Sequence, residues 1–410
     1  MVHVRSQVLV PALVVGTLSG VVGVVYLAVL HVLSERIGPS DHGAVVQGAI
    51  LVSAGIVVAV GTRLLGPSGN VELLVDNIHV LGGTDGMRET RSMVPVSLVC
   101  VAAGGAMGPE APLVQTTGTL GSWLAERFRL GPDDVRTLTI TGMAAGFTVL
   151  FGAPLGGALF ALEILHRRGL QYYEAVMPAV IGSLAGLAVA SVAMQIGLEP
   201  VWTFPSVGEV VSSDLLWAIG AGVVGALGAR LFIRLAELGR SGFARLPAWS
   251  RPVLGGVILA LLGAWSPYAL TFGEAQIGSI VVGRLTLGAL AVAAVAKLAG
   301  TLTTLVSGWK GGFIIPLFFL GVTLGEIVHL MAPSSNEAVM VACLMVALCV
   351  GVTKTPIGST LVVTEMAGLV LLPTTLLAAA VALVLSGRAG LIDTQRDREP
   401  AARTTTEVGE

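Results

Sequence analysis

The stretch Gly108-Pro109-Glu110-Ala111-Pro112 places one carboxylate in the middle of a long apolar region. Its flanks, Val96–Met107 and Leu113–Leu124, are apolar or small with few exceptions. An ionisable side chain at membrane depth is costly and is retained mainly where it lines a pathway or meets a partner. The glycine and prolines indicate that one helix breaks here and another begins, and a helix N-terminus is an anion-binding site. The stretch therefore predicts a fixed carboxylate at a place that also suits a mobile anion.

The composition of the 410-residue chain indicates a membrane protein. Hydrophobic residues make up 54% of it and charged residues 12%, with a mean hydropathy of +0.88, whereas soluble domains carry about 25% charged residues. A net charge of −2 argues against a nucleic-acid partner. The three cysteines and six histidines show no metal-ligand spacing, so we expect no metal and no other cofactor. No Ser/His/Asp constellation stands out, so an enzyme is not expected either.

The apolar segments of the chain are often short or interrupted. Val8–Val32 is long enough for a first membrane helix, whereas Leu113–Ala125 is shorter than the roughly 20 residues that cross a bilayer. Leu138–Leu165 and Pro356–Leu385 contain internal glycine or proline and are predicted to hold two helices each. Broken helices are tolerated at membrane depth only around a cavity. This pattern favours a transporter or a channel.

Two halves of the sequence repeat the same features in the same order. Pro112 and Pro316 lie in matching stretches, and 316 minus 112 gives an offset of 204. Glu163 and Glu365 follow matching Pro-x-Gly starts at an offset of 202. Paired broken segments in two halves point to the binding site. We expect a first membrane half over residues 1–200, a second over 201–390 and a disordered cytoplasmic tail over 391–410.

Together these features resemble the CLC family of chloride channels and anion/proton antiporters, from about Val8 to Leu391. The family signatures GSGIP, G(K/R)EGP and GxFxP are similar to Pro67–Val71, Gly108–Pro112 and Gly312–Pro316. The resemblance implies an all-α polytopic membrane protein, an inverted repeat of two halves whose broken helices meet at a central anion site. It also implies a homodimer in the cell membrane, with cytoplasmic termini and a separate pore in each subunit.

The resemblance gives Glu110 the role of gating glutamate, which occupies an anion site when charged and leaves it when protonated. Ser68 would touch the anion through its hydroxyl, and Phe313 and Ile314 through their backbone N–H groups. Such donors carry no full positive charge, so an anion can bind and still depart. Helix capping by Glu110 and Ser68, and plain core packing of the other two, are the alternatives. The expected anion-binding residues are Ser68, Gly69, Asn70, Gly312, Phe313 and Ile314.

Glu163 has two interpretations. In the structural one, Glu163 and Glu365, at equivalent positions of the two halves, cap helices or pair with Arg167, Arg168 or a neighbouring segment. In the functional one, Glu163 shares a gating or proton role with Glu110. Antiporters of the family often carry an inner glutamate for proton relay, and the position that matches it is Ile164. The sequence therefore does not assign the inner proton route to a particular residue.

Further departures from the family pattern concern the anion. The family's anion-contacting tyrosine should fall near Leu391, but no tyrosine follows Tyr268. Asn70 and Val71 replace the isoleucine and proline of the first signature. The missing inner glutamate and the altered first signature are reminiscent of the family's fluoride/proton antiporter branch.

The leading hypothesis is transport of an inorganic anion, chloride first, across the membrane. The alternative is fluoride/proton antiport, and nitrate is a further candidate anion. An exporter of organic solutes is disfavoured, because aromatic residues are only 5% of the chain and Glu110 is the one strongly placed carboxylate. Both channels and antiporters of the family keep the gating glutamate, so the sequence does not distinguish a channel from an antiporter.

Overall fold

The computed structural model describes residues 6–39, 43–66, 75, 77–79, 83, 88–167, 170–194, 202, 204–387, 390–392 and 394–395. The α-helices there are α1 (Ser6–Ile37), α2 (Ala44–Leu65), α3 (Arg88–Ala102), α4 (Glu110–Arg127), α5 (Pro132–Phe151), α6 (Pro154–Glu163), α7 (Val176–Met194), α8 (Ser212–Ala244), α9 (Ser250–Trp265), α10 (Glu274–Gly283), α11 (Leu287–Val306), α12 (Ile314–Met331), α13 (Glu337–Thr353), α14 (Pro356–Ala367) and α15 (Leu372–Ser386). Single 3₁₀ turns over Tyr173–Ala175, Pro267–Ala269 and Leu369–Leu371 precede α7, α10 and α15. The predicted all-helical fold class is confirmed.

Long apolar helices make this a multi-pass membrane protein. Within the described ranges, seven helical stretches are long and apolar enough to cross a bilayer: Gln7–Ile37, Ala44–Leu65, Tyr173–Met194, Ser212–Ala244, Leu287–Val306, Ile314–Met331 and Leu369–Ser386. Large apolar side chains such as Val10 and Leu216 point outward from the bundle, 69% and 73% exposed. Outward apolar side chains on such helices are expected where lipid replaces water as the solvent.

The two segments predicted to hold two helices each do so. In the first, α5 ends at Phe151 and α6 begins at Pro154. Gly152 between them has a φ of 66°, a left-handed conformation that ends α5 at low cost because glycine has no Cβ. In the second, α14 ends at Ala367 and α15 begins at Leu372, after a 3₁₀ turn. Proline in the first turn suits both new helices, since its missing N–H is unpaired there anyway.

Glycine lets equivalent helix pairs pack closely in the two halves. A side chain at Gly121 of α4 would collide with the backbone of Leu138 in α5. At an offset of 204, a side chain at Gly325 of α12 would collide with the backbone of Val341 in α13. Close backbone contact at small residues is the usual way that membrane helices associate. These two pairs hold the N-termini of α4 and α12, where the candidate site lies.

Candidate functional site

The two broken stretches meet at a pair of glycines. The N–H of Gly108 donates to the carbonyl of Gly312 at 2.7 Å, and the N–H of Gly312 donates to the carbonyl of Gly108 at 2.6 Å. The two positions differ by 204, the offset found in the sequence. Helices α4 and α12 begin two residues beyond these glycines, at Glu110 and Ile314. The structure therefore brings both helix N-termini to one buried place.

The side chain of Glu110 occupies this place. Its carboxylate is fully buried, and its Oε1 accepts a hydrogen bond at 2.6 Å from the backbone N–H of Ile315. Oε2 has no hydrogen-bond partner within the described part of the chain. A helix N-terminus attracts negative charge, so the first turn of α12 binds the carboxylate as it would bind a free anion.

Glycine at two positions makes room for this carboxylate. A Cβ added to Gly108 or to Gly312 would collide with the carboxylate of Glu110. Any other residue at either position would displace the side chain from the Ile315 amide. The motif glycines are thus required by the close approach of Glu110 and not only by the backbone conformation.

Three of the six predicted anion-binding residues belong to the part of the chain that the structure describes. Gly312, Phe313 and Ile314 are at the junction with Glu110, and the two side chains are buried, 8% and 5% exposed. The amide that donates to the carboxylate is that of Ile315, the next residue in the chain, which was not among the predicted residues. The other three predicted residues, Ser68, Gly69 and Asn70, lie outside the described residues.

Glu163 and Glu365 each cap the helix that carries the other residue. Oε2 of Glu163, at the end of α6, accepts from the N–H of Gly358 in the first turn of α14 at 2.7 Å. The two carboxylate oxygens of Glu365, on α14, accept from the N–H groups of Leu155 and Gly156 in the first turn of α6 at 3.1 and 3.0 Å. Both contacts satisfy helix-end donors and suit the helix dipole. This geometry favours the structural interpretation of Glu163.

A glutamine from the C-terminal segment contacts the position of the missing inner glutamate. Nε2 of Gln395 donates to the carbonyls of Ile164 and Thr353 at 2.9 and 2.7 Å. Gln395 is 3% exposed, and its Oε1 has no partner within the described ranges. Leu391, where the family tyrosine was expected, is also buried. A neutral amide thus contacts the backbone at the position of the missing inner glutamate.

Comparison with known proteins decides the family. A family model described as "Voltage gated chloride channel" (Voltage_CLC) matches residues 76–387, more than half of the chain. The chain belongs to the CLC family. Its members transport anions across membranes, so this protein is an anion-transport protein and not an enzyme.

Individual CLC proteins resemble it along most of their length. The "Chloride/fluoride channel protein" of Pseudomonas syringae pv. tomato is 29% identical over 365 residues, covering 85% of this chain and 78% of the relative. The structure of a slow cyanobacterial Cl⁻/H⁺ antiporter has a TM-score of 0.83 at 21% identity, covering 93% and 94% of the two chains. That of a CLC-type fluoride/proton antiporter has the same TM-score at 22% identity, covering 96% and 98%. At these identities the solved structures establish the CLC fold alone.

This CLC chain also contains a polar cluster that no sequence motif predicted. Nε2 of His79 lies 2.7 Å from the carbonyl of Leu165, and Nδ1 lies 3.0 Å from the hydroxyl of Tyr172. A carbonyl only accepts, so Nε2 is protonated, and in a neutral ring Nδ1 accepts from the tyrosine. The ring of His166 packs edge-on against that of His79, with centroids 4.9 Å apart. The guanidinium of Arg136 lies 4.8 Å above the Tyr172 ring.

Burial affects the protonation of this cluster. It lowers the pKa of His166 to about 4, and the neighbouring charge of His79 acts in the same direction. His166 is therefore neutral at physiological pH. No spacing rule connects His79 with the residues at the end of α6, so this cluster could not be predicted from the sequence.

Lys297 is fully buried, and its ammonium pairs with oxygen atoms. Its Nζ donates to the carbonyls of Leu270 and Thr271, both at 2.8 Å, and to Oε1 of Gln276 at 2.9 Å. The ammonium also lies 4.7 Å from the centre of the Phe319 ring, a favourable cation–π distance. Lys297 thus ties the segment before α10 to α11 and α12.

Proposed function

We propose that this CLC protein transports inorganic anions, chloride first, along a pathway gated by protonation of Glu110. The observation that carries the proposal is the contact of the buried Glu110 carboxylate with the N–H group of Ile315. A charged carboxylate there excludes a mobile anion from the first turn of α12. A protonated, neutral side chain no longer competes for these donors, so an anion can take its place.

The same competition supports coupling to protons. Oε2 of Glu110 has no partner within the described residues, which leaves one oxygen to accept a proton. If anion entry requires a protonated Glu110, each cycle of the side chain moves a proton as well as an anion. We propose proton-coupled transport on this ground, and the Cl⁻/H⁺ antiporter of similar fold is consistent with it.

Fluoride/proton antiport is the second candidate. Three features of the chain favour it: Ile164 at the inner acid position, the missing C-terminal tyrosine and the Asn70-Val71 pair in the first signature. The relative from Pseudomonas syringae is named for both halides, and the fluoride/proton antiporter shares the fold.

We further propose that Ser68 and Asn70 complete the anion site, that the two halves are inverted repeats, and that the protein is a homodimer.

The decisive experiment is flux from proteoliposomes with chloride, fluoride and nitrate, with the internal pH recorded alongside. Chloride flux that drives proton movement supports the leading proposal. Fluoride flux with tight proton exchange, and poor chloride flux, supports the second candidate. Anion flux that is independent of pH and moves no protons overturns the proton-gated pathway.

A further inference from the structure

A large cavity reaches the residue next to Glu110. Its volume is about 1330 Å³, and its lining includes Pro109 and Glu274. Its walls include the C-terminal parts of α1, α7 and α9, among them Ser34, Met194 and Ala264. Water in this cavity can therefore reach Pro109, the residue that precedes the buried Glu110 in the chain.

The positive-inside rule predicts that the cavity faces the outer side of the membrane. Helices α7 and α9, which end at the cavity, begin near the basic residues Arg167 and Arg251. Basic loops of membrane proteins are retained in the cytoplasm. The N-terminal ends of these helices are thus on the cytoplasmic side, and the cavity opens on the opposite side.

Glu274 is held firmly at the cavity wall. It is the first residue of α10 and follows Gly273, whose left-handed φ of 98° turns the chain there. The preceding segment is fixed from two directions: the N–H of Thr271 donates to the carbonyl of Gly104 at 2.9 Å, and Lys297 donates to two carbonyls of the segment. A carboxylate on such a segment has a defined position relative to Glu110.

The two carboxylates lie at the same cavity: Glu274 is part of its lining, and so is Pro109, the residue before Glu110. The negative charge of Glu274 disfavours a second charge on Glu110, so a proton on one stabilises charge on the other. Among the described lining residues the ionisable ones are His31 and Glu274. Lys297 is engaged with the carbonyls of the same segment. Glu274 is therefore the one carboxylic acid among the described residues that line this cavity.

We propose that Glu274 is the outer proton-exchange residue, which carries protons between the cavity water and Glu110; this rests on the proposed proton coupling. The acid form of Glu274 gives its proton to the Glu110 carboxylate, directly or through one water, and becomes a carboxylate itself. Cavity water then protonates it again, and the reverse sequence releases a proton outward. No other reactant is needed.

The placement also follows from the repeat. Glu274 lies 204 positions after Asn70, so the two are equivalent in the two halves, and only the second half has an acid there. On the inner side, the matching family acid is replaced by Ile164. The chain thus has an acid on the outer side of the gate and lacks one at the expected inner position.

The test compares wild-type protein with Glu274→Gln in proteoliposomes, measuring anion and proton flux as the outer pH is varied. We expect Glu274→Gln to keep anion flux and to slow proton flux about 100-fold, the contribution of one positioned acid–base group. Glu274→Asp should restore much of the proton flux with a shifted pH profile, which a purely structural role would not produce. Glu174→Gln, which changes an exposed acid on the 3₁₀ turn Tyr173–Ala175, is the matched control and should behave as wild type.

The possible outcomes separate this inference from the proposed function. If wild-type protein moves anions without protons, the proposed coupling is wrong and Glu274 has no proton to carry. If wild-type protein is coupled and Glu274→Gln has the same proton flux and pH profile, the inference alone is overturned. Gel filtration establishes folding, and if the glutamine variant is not monodisperse, Glu274→Ser is measured in its place against the same criterion.

Discussion

Oε1 of Glu110 accepts a hydrogen bond at 2.6 Å from the backbone N–H of Ile315, although the two residues are 205 positions apart. The contact joins the start of α4 to the first turn of α12, and so joins the two halves of the sequence at one atom pair. A charge-assisted hydrogen bond of this kind contributes about 1.5–3 kcal/mol. It is strong enough to hold the side chain in place and weak enough for protonation to release it.

Replacing Glu110 by glutamine should remove the dependence of anion flux on pH and leave a constitutive anion leak. Glutamine keeps the size of the side chain but has no charge to hold at the N-terminus of α12 and no proton to exchange. Anion flux and proton flux from proteoliposomes over a range of pH measure both effects. Proton-coupled flux with an unchanged pH response in Glu110→Gln would show that the gate is elsewhere.

Gly312→Ala should partly open the pathway at neutral pH. The added methyl group needs the space of the Glu110 carboxylate, so it displaces that side chain from the Ile315 amide. Anion flux at neutral pH should rise several-fold and its pH dependence should flatten, both less than in Glu110→Gln, because the carboxylate is still present. Gly288→Ala, in α11 with no atom near the added methyl, is the control. A pH profile equal to that of wild type in Gly312→Ala would contradict the role given to this glycine.

Local sequence patterns were enough to predict the broken helices and the central position of Glu110. Proline and glycine act on the backbone within a few residues, so the breaks at Gly152-Ala153-Pro154 and before Glu110 are visible in the sequence itself. The offset of 204 then predicted that the Gly312 stretch belongs with the Gly108 stretch. The structure brings these two stretches into direct contact.

Contacts made by irregular segments could not be predicted from the sequence. Lys297 binds carbonyls 26 and 27 residues away, whose direction depends on the conformation of the chain before α10. Gln395 reaches Ile164 across 231 positions. Such contacts have no periodicity and involve backbone atoms that every residue carries. Only the tertiary arrangement selects them.

The stability of the folded protein should fall as the pH falls from about 6.5 to about 4, partly because of His166. An unfolded histidine takes up its proton near pH 6.5, whereas the buried His166 has a pKa of about 4. Between these values the unfolded state binds one more proton, so folding loses at most about 1.4 kcal/mol per pH unit from this group. Thermal unfolding in detergent at several pH values measures the slope.

His166→Gln should reduce that slope, since glutamine does not titrate. The matched control is His31→Gln, which replaces an exposed histidine on α1 by the same residue. An equal slope in wild type and His166→Gln would show that other groups account for the acid instability.

Glu163→Gln and Glu365→Gln should each destabilise the protein by about 1–3 kcal/mol, because each removes a charge that satisfies helix-end N–H groups. Neither should change the ratio of protons to anions if capping is the whole role of both residues. Glu365 is the matched control for Glu163, since it makes the equivalent contact from the other half. Thermal unfolding measures the first effect, and proteoliposome flux measures the second. A loss of proton flux in Glu163→Gln, with normal coupling in Glu365→Gln, would give Glu163 the relay role in place of capping alone.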